Sequence, residues 1–164
     1  MKKKISLLVA LAVAAVAVAV GVAAARADTG PPWGPETPNF NLEVILRPAA
    51  GGPYGGFGLV KFRQPNDATK IVYLDTWVRD LAPNRSYSLQ RAVDTNVDDN
   101  CTGTNWLTLG QITTDGTGTG RAALSRDLAA IPLGMAFDIH FRIVDTATMA
   151  VVLESGCYQF AVSQ

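Results

Sequence analysis

The only histidine of the chain stands in an alternating polar series formed by Asp138, His140 and Arg142. A histidine beside a carboxylate can act as a general base, because its pKa lies close to neutral pH. Residues two apart on a β-strand share one face, so the series is equally typical of a solvated strand face. The sequence has no G-x-S-x-G motif to supply a serine nucleophile. We therefore interpret His140 as a solvated or interface residue and assign no catalytic residue, with catalytic, metal-binding and pH-sensing roles as the alternatives.

The densest group of oxygen-bearing side chains lies in residues 94–100, DTNVDDN. Asp94, Asn96 and Asp98 alternate as in the opening of a calcium-binding loop, because hard cations need several oxygen ligands at short spacing. The EF-hand pattern then fails, since Asp99 stands where glycine is required and Asn105 where the bidentate glutamate would be. An ordinary acidic loop and a calcium site of another kind are the two interpretations. Calcium is the only cofactor that the sequence suggests.

Paired carboxylates that hydrolyse glycosides must face one cleft. The acidic residues that remain candidates for such a pair are spread along the chain at Glu36, Glu43, Asp75 and Glu154. Asp75 has apolar neighbours in a predicted strand, so we expect it to be buried and paired with Arg79 or Arg91.

Four aromatic residues could offer a stacking surface for a sugar or a peptide: Trp33, Tyr54, Trp77 and Trp106. Trp77 and Trp106 fall in predicted strands, where core filling is expected. Trp33 and Tyr54 fall in segments rich in glycine and proline and are the better candidates for a ligand surface. Loop aromatics also often cover the edge of a core, and that alternative stays open.

The first 27 residues have the features of an export segment. Lys2, Lys3 and Lys4 precede an apolar run, and residues 25–27, ARA, form a small-x-small cleavage pattern. Without this segment, the chain of 164 residues loses four of its 14 basic residues and keeps all 14 acidic ones, so its net charge becomes −4. That charge argues against nucleic acid as a partner. We predict a secreted or extracytoplasmic protein of a bacterial cell envelope, with an uncleaved N-terminal anchor as the alternative.

The two cysteines, Cys101 and Cys157, have 55 residues between them. In an exported protein, an even pair of cysteines most often forms a disulfide. A C-x-x-C motif is absent, and one histidine cannot complete a Cys/His metal site, so we predict a structural disulfide.

The hydrophobic pattern after residue 39 has a period of two, which indicates β-strands. Residues 28–39 contain four prolines and read as a linker. We predict strands over residues 40–47, 57–63, 70–79, 85–93, 106–114, 118–124 and 137–144, and a final hairpin of 150–154 with 157–162. A bulge is expected at Gly110, a tight turn at Asp115-Gly116 and a helical turn over 126–131. Residues 40–164 are thus predicted to form one all-β antiparallel sandwich of about eight or nine strands, with a small barrel as the alternative.

Residues 81–87, LAPNRSY, carry the pattern L-x-P-x-x-x-Y. This resembles the corner before a late strand in fibronectin type III and related immunoglobulin-like modules, in which the tyrosine hydroxyl bonds the backbone across the corner. The order of elements over residues 70–114 is similar to secreted bacterial β-sandwich modules and loosely to chordin-type (CHRD) repeats. About 70 residues follow the strand of Tyr87, more than a fibronectin module explains. The histidines of CHRD repeats are missing, since Ser86, Tyr87 and Ser88 stand there, so no histidine-borne metal role carries over.

The function expected from these features is that of a secreted or surface-held, non-enzymatic module with a binding or envelope role. The expected partner is a protein or a glycan, and membrane contact is expected only if the N-terminal segment stays uncleaved. A small exported hydrolase that uses Asp138 and His140 or the scattered carboxylates is one alternative. An extracellular inhibitor that presents residues 51–56 is another.

Overall fold

A computed structural model describes residues 40–65 and 67–162. The expected export segment (residues 1–27) and linker (residues 28–39), with Trp33 and Glu36, lie outside this part of the chain. Within it, no helix is long and apolar enough to cross a membrane.

The described residues form nine antiparallel strands. Their bounds are β1 Phe40–Pro48, β2 Phe57–Gln64, β3 Ile71–Arg79, β4 Ser86–Asp94, β5 Leu107–Thr113, β6 Gly120–Asp127, β7 Ala136–Asp145, β8 Val151–Ser155 and β9 Tyr158–Ala161. The predicted all-β class is therefore confirmed. The predicted helical turn over 126–131 is wrong, because β6 continues through Asp127 and residues 128–131 form a turn in which Ile131 N donates to Leu128 O at 2.8 Å.

All nine strands belong to one sheet with the order β5-β4-β7-β8-β1-β2-β3-β6, and β9 also pairs with β7. The two ends of this order, β5 and β6, are consecutive in sequence and meet at an antiparallel bridge between Thr114 and Gly120. The sheet is therefore nearly barrel-shaped. The hydrogen bonding does not divide it into two separate sheets.

The chain end differs from the predicted hairpin of residues 150–154 and 157–162. β8 and β9 both pair antiparallel with β7, with Arg142 opposite Glu154 and Ile139 opposite Tyr158. β8 and β9 therefore lie end to end along β7, and the pairing is interrupted at Gly156. The Ser155-Gly156 turn signal was misleading because the ten-residue strand β7 is long enough to pair with both pieces.

The barrel interior is filled by alternate residues of each strand, as the period-two pattern predicts. In β3, the side chains of residues 72, 74, 76 and 78 are buried, whereas those of 71, 73, 75 and 77 are half-buried or exposed. The predicted bulge near Gly110 is confirmed, since the register between β4 and β5 shifts there: Leu89 is opposite Gly110, and Gln90 is opposite Thr108.

The corner before β4 has the hydrogen bond that its sequence pattern predicts. The Tyr87 hydroxyl accepts a hydrogen bond from Ala82 N at 3.1 Å, and Leu81 is buried in the core cluster. Tyr87 itself is 0% exposed. The corner therefore locks the start of β4, which in turn contributes to both sites described below.

The predicted turn at Asp115-Gly116 is confirmed in place but differs in detail. Asp115 Oδ1 accepts hydrogen bonds from Thr117 N at 2.8 Å and Thr119 N at 3.1 Å. The glycine with a positive φ (+80°) is Gly118, not Gly116. The turn thus depends on the Asp115 side chain and on Gly118.

Candidate functional site

An apolar cavity of about 180 Å³ lies in the barrel interior at one end. Most of its lining is aromatic or aliphatic, and its charged members are Arg91, Arg126 and Asp127. The apolar lining comprises Phe62, Val72, Leu74, Val93, Leu109, Leu128, Ala130, Ile131, Phe137, Ile139, Phe141 and Phe160. A cavity of this kind is the usual form of a small-molecule site.

Arg91 belongs to the inward-facing row of β4. Tyr87 and Leu89 of that row are fully buried, and Arg91 follows two residues later. It lies opposite Phe141 of β7, which is 1% exposed. Because directly opposite residues of an antiparallel pair share one face of the sheet, the guanidinium of Arg91 projects from the inner face.

Arg126 occupies the corresponding row of β6. It lies opposite Val72 of β3, which is buried in the core cluster. Four residues earlier in the same row, Ala122 lies opposite the buried Thr76. Two arginines thus stand at inward-facing positions at the end of the barrel that contains the cavity.

Neither arginine has a partner among the residues the structure describes: no hydrogen bond or ion pair joins Arg91 or Arg126 to them. Burial lowers the pKa of Arg91, and the positive charge of Arg126 lowers it further. The one carboxylate in the lining, Asp127, accepts a hydrogen bond from Ala129 N at 2.7 Å. The cavity end therefore carries an excess of positive charge over an apolar interior.

The predicted polar row of Asp138, His140 and Arg142 lies on the outer face, but it is covered rather than solvated. The covering segment is residues 95–106, which we call the β4–β5 loop. His140 Nε2 lies 2.9 Å from the Gly103 carbonyl oxygen, so Nε2 carries the proton. The Trp106 ring lies 4.5 Å from the ring of His140 and 3.9 Å from Arg142 Cζ. His140 thus anchors the loop and is half-buried beneath it.

The predicted disulfide is present and fastens the same loop. Cys101 and Cys157 are bonded, with their Cα atoms 5.3 Å apart. Cys101 lies in the β4–β5 loop, and Cys157 lies between β8 and β9. The loop is therefore linked covalently to the connection between β8 and β9, which both pair with β7.

The three predicted calcium ligands have different hydrogen-bond partners. Asp94 Oδ2 accepts hydrogen bonds from Thr102 N at 2.9 Å and from Gly103 N at 3.1 Å. Asn96 Nδ2 donates to Asp98 Oδ2 at 2.6 Å, so these two side chains are engaged with each other. Among residues 40–65 and 67–162, no group of three or more His, Cys, Asp and Glu side chains is arranged to hold a metal ion.

Asp138 lies on the outer face with His140 and Arg142, as the sequence indicated, but its burial was not predicted. It is 0% exposed and lies directly opposite Asp94 in the β4–β7 pair. Asp138 Oδ2 accepts a hydrogen bond from Asp98 N at 2.9 Å. The other oxygens of this carboxylate pair, Asp94 Oδ1 and Asp138 Oδ1, are buried without a hydrogen-bond partner. The sequence contains one indication of this arrangement, which is an aspartate at an outward position of the strand predicted over 137–144 together with the oxygen-rich residues 94–100.

Asp75 has a different partner and environment from those expected. Arg121 of β6, not Arg79 or Arg91, donates to it through Nη2 at 2.5 Å and Nε at 3.0 Å. The Arg121 hydrogen bond lowers the pKa of Asp75, whose side chain is 40% exposed. The expectation was wrong because the partner depends on the pairing of β3 with β6. On the outer face, Glu43 and Asp75 each lie opposite Lys61, whereas Glu154 lies opposite Arg47 and Arg142.

The described aromatic candidates lie around the barrel wall. Tyr54 is half-buried and packs against the core cluster. Trp77 projects outward, with its ring 6.1 Å from that of Phe57. Neither Trp77 nor Trp106 belongs to the core cluster, so the expectation of core filling is wrong for both. The role of Tyr54 in a ligand surface stays a prediction.

The fold and these two regions define an all-β, disulfide-linked protein with an arginine-bearing cavity inside a nearly closed sheet. Comparison of the chain with protein-family models, with curated proteins and with solved structures finds no match.

Proposed function

We propose that this chain is a secreted or surface-held, non-enzymatic binding module whose ligand is a small anionic amphiphile. The apolar part of the ligand enters the cavity, and its carboxylate or phosphate meets Arg91 and Arg126. The observation that carries the proposal is the pair of inward-facing arginines without a carboxylate partner at the end of an apolar cavity.

The energetics of burial support an anionic ligand. Arg91 is half-buried without a partner among the described residues, which destabilises the fold, and the nearby Arg126, which is exposed, adds repulsion between like charges. Arginine is well suited to bind a carboxylate or a phosphate, because its planar guanidinium can donate two parallel hydrogen bonds to such a group. An anion between Arg91 and Arg126 would offset both penalties at once.

The size of the cavity supports a limited apolar group. An apolar protein cavity of about 150 Å³ can hold benzene, and this cavity measures about 180 Å³. It can accept an aromatic ring or a short acyl chain, whereas a longer chain would extend out of the barrel. The apolar lining favours such a group over the glycan or protein that the sequence suggested.

The compartment is part of the same proposal. The N-terminal sequence has the features of an export signal, and the disulfide Cys101–Cys157 favours an oxidising environment outside the cytoplasm. The immunoglobulin-like sandwich also stays a proposal for the fold. Its support is the hydrogen bond from Ala82 N to the Tyr87 hydroxyl at the L-x-P-x-x-x-Y corner.

Three probes that share one chain length test the ligand class: octanoate, octan-1-ol and octylammonium. We expect calorimetry on the purified protein to show the tightest binding for octanoate. Replacing Arg91 or Arg126 by methionine keeps side-chain length and removes the charge. Each change should weaken octanoate binding about 10-fold or more, as expected for the loss of a hydrogen bond to a charged group. Arg63→Met is the matched control, because Arg63 is exposed on the outer face of β2.

Equal binding of octanoate and octan-1-ol would reject the anionic ligand and leave an apolar one. Failure of all three probes would reject the cavity as a binding site. Phe40, the first residue that the structure describes, lies opposite Gln64 of β2, two residues from the cavity-lining Phe62. Trp33→Ala is therefore tested as well. Probe binding in that variant alone would mean that the chain's own linker blocks the cavity, which would also overturn the proposal.

A further inference from the structure

The outer face of β4, β7 and β9 carries a row of three oxygen-bearing side chains. Asp94 of β4 lies opposite Asp138 of β7, and Asp138 lies opposite Gln159 of β9. Directly opposite residues of antiparallel strands have Cβ atoms about 5 Å apart. The β4–β5 loop covers this row, because Asp98 N donates to Asp138 Oδ2 and both Thr102 N and Gly103 N donate to Asp94 Oδ2.

In each carboxylate, one oxygen accepts hydrogen bonds from the loop and the other oxygen accepts none. Asp94 Oδ1 and Asp138 Oδ1 are both buried and have no hydrogen-bond partner. A buried polar atom without a partner destabilises a folded protein by more than an ordinary hydrogen bond stabilises it. Carboxylates on neighbouring strands also repel each other, and a cation beside them would offset this repulsion and give both oxygens a partner.

The chain's own cationic side chains next to this row are engaged elsewhere. His140 Nε2 contacts the Gly103 carbonyl oxygen. Arg142 Nε donates to Gln90 Oε1 at 2.8 Å, and its guanidinium lies under the Trp106 ring. None of the ion pairs among residues 40–65 and 67–162 includes Asp94 or Asp138.

We propose that a calcium ion binds beneath the β4–β5 loop, with Asp94 Oδ1 and Asp138 Oδ1 as its carboxylate ligands. Calcium prefers carboxylate, amide and backbone carbonyl oxygens and tolerates irregular geometry. Gln159, which lies opposite Asp138 on β9, would supply its amide oxygen as a further ligand. Compared with the ligands predicted from the sequence, Asp138 takes the place of Asn96 and Asp98, whose side chains are hydrogen-bonded to each other. It is independent of the cavity ligand, because these residues lie on the opposite face of the sheet.

The test is calorimetric titration of the purified protein with calcium chloride after treatment with EDTA. Sites of this kind in extracellular modules have dissociation constants of roughly 0.1–1 mM, and we expect a value in that range. We also expect calcium to raise the midpoint of thermal unfolding, because it binds only the folded chain. Magnesium at the same concentration should have a smaller effect, since it requires regular octahedral geometry.

Two variants locate the ion. Asp138→Asn and Asp94→Asn should each weaken calcium binding about 10-fold, which corresponds to the loss of one charged ligand. Asp99→Asn is the matched control, since Asp99 is exposed on the same loop, and its calcium affinity should change less than about 2-fold.

The titration of the unmodified protein decides the proposal even if a variant fails to fold. Absence of both a binding signal and a midpoint shift at 10 mM calcium (about ten times the weakest expected constant) would overturn it. Equal loss of affinity in Asp99→Asn would likewise overturn the assignment of the ligands.

Discussion

Removing the disulfide should destabilise the barrel strongly. The variant Cys101→Ala/Cys157→Ala leaves the β4–β5 loop attached to the outer face only by hydrogen bonds and ring contacts. In the folded protein the bond joins residues whose Cα atoms are 5.3 Å apart. In the unfolded chain it closes a long loop, so its loss increases the entropy of the unfolded state.

The magnitude follows from the length of that loop. The two cysteines are 56 positions apart, and the chain-entropy relation gives about 4 kcal/mol for a loop of this length. A domain typically unfolds with 5–15 kcal/mol. With a urea m-value of roughly 2 kcal/mol/M, the unfolding midpoint should fall by about 2 M. The m-value should rise as well, because the open unfolded chain exposes more surface.

Urea unfolding followed by tryptophan fluorescence measures this change. EDTA in every sample excludes a contribution from calcium. Dithiothreitol should lower the midpoint of the unmodified protein to that of the double variant and leave the double variant unchanged. A midpoint shift below about 0.5 M, or under roughly 1 kcal/mol at this m-value, would refute the assignment of the disulfide as the main constraint on the unfolded chain.

Two further substitutions test the turns that frame the sheet. Gly118→Ala should destabilise the protein by about 3 kcal/mol in a urea titration, because an added Cβ would overlap the Leu81 carbonyl oxygen and φ is +80°. Gly116→Ala, with no atom within 4 Å of the added Cβ, should change stability by less than about 0.5 kcal/mol and is the control; similar losses in both variants would contradict this reasoning. Burial alone would raise the pKa of Asp145, but hydrogen bonds from backbone amides and from Arg85 hold that pKa below its usual value. The folded state therefore gains stability from this carboxylate at neutral pH and loses it as the pH falls below about 4. Asp145→Asn should lower the unfolding free energy by about 2 kcal/mol at pH 7, a value kept modest because Arg85 is 36% exposed. The difference from the unmodified protein should shrink towards pH 3, and a constant difference over this range would contradict the proposed linkage.

Local sequence was sufficient for strands and for the rows within them. Alternation fixes which residues share a face once a strand is recognised, and residues 72, 74, 76 and 78 of β3 accordingly form one buried row. The corner at Tyr87 was also predictable, because its hydrogen bond to Ala82 N joins residues five apart. The cysteine count and the export features together predicted the disulfide.

Features that depend on which strands are neighbours were not predictable. Asp75 was assigned to the wrong arginine because Arg121 comes beside it only through the pairing of β3 with β6. The sequence predicts a hairpin of β8 and β9, because local residues do not distinguish a tight turn from a break between two strands that both pair with β7. Arg91, by contrast, carried a usable signal. Alternation along the predicted strand 85–93 puts Arg91 on the same face as Tyr87, Leu89 and Val93, and a cation among such apolar residues is unusual for a core.

The cavity and the disulfide lie at the same end of the barrel. Phe160 of β9 and Ile139 of β7 line the cavity, and Cys157 immediately precedes β9. The space between these walls is not filled by side chains, and it opens to solvent where Arg126, Asp127 and Ala130 are exposed. A chain that simply maximised its stability would fill that space with larger apolar residues and would not place arginines there. This combination supports a cavity retained for a ligand rather than a defect of packing.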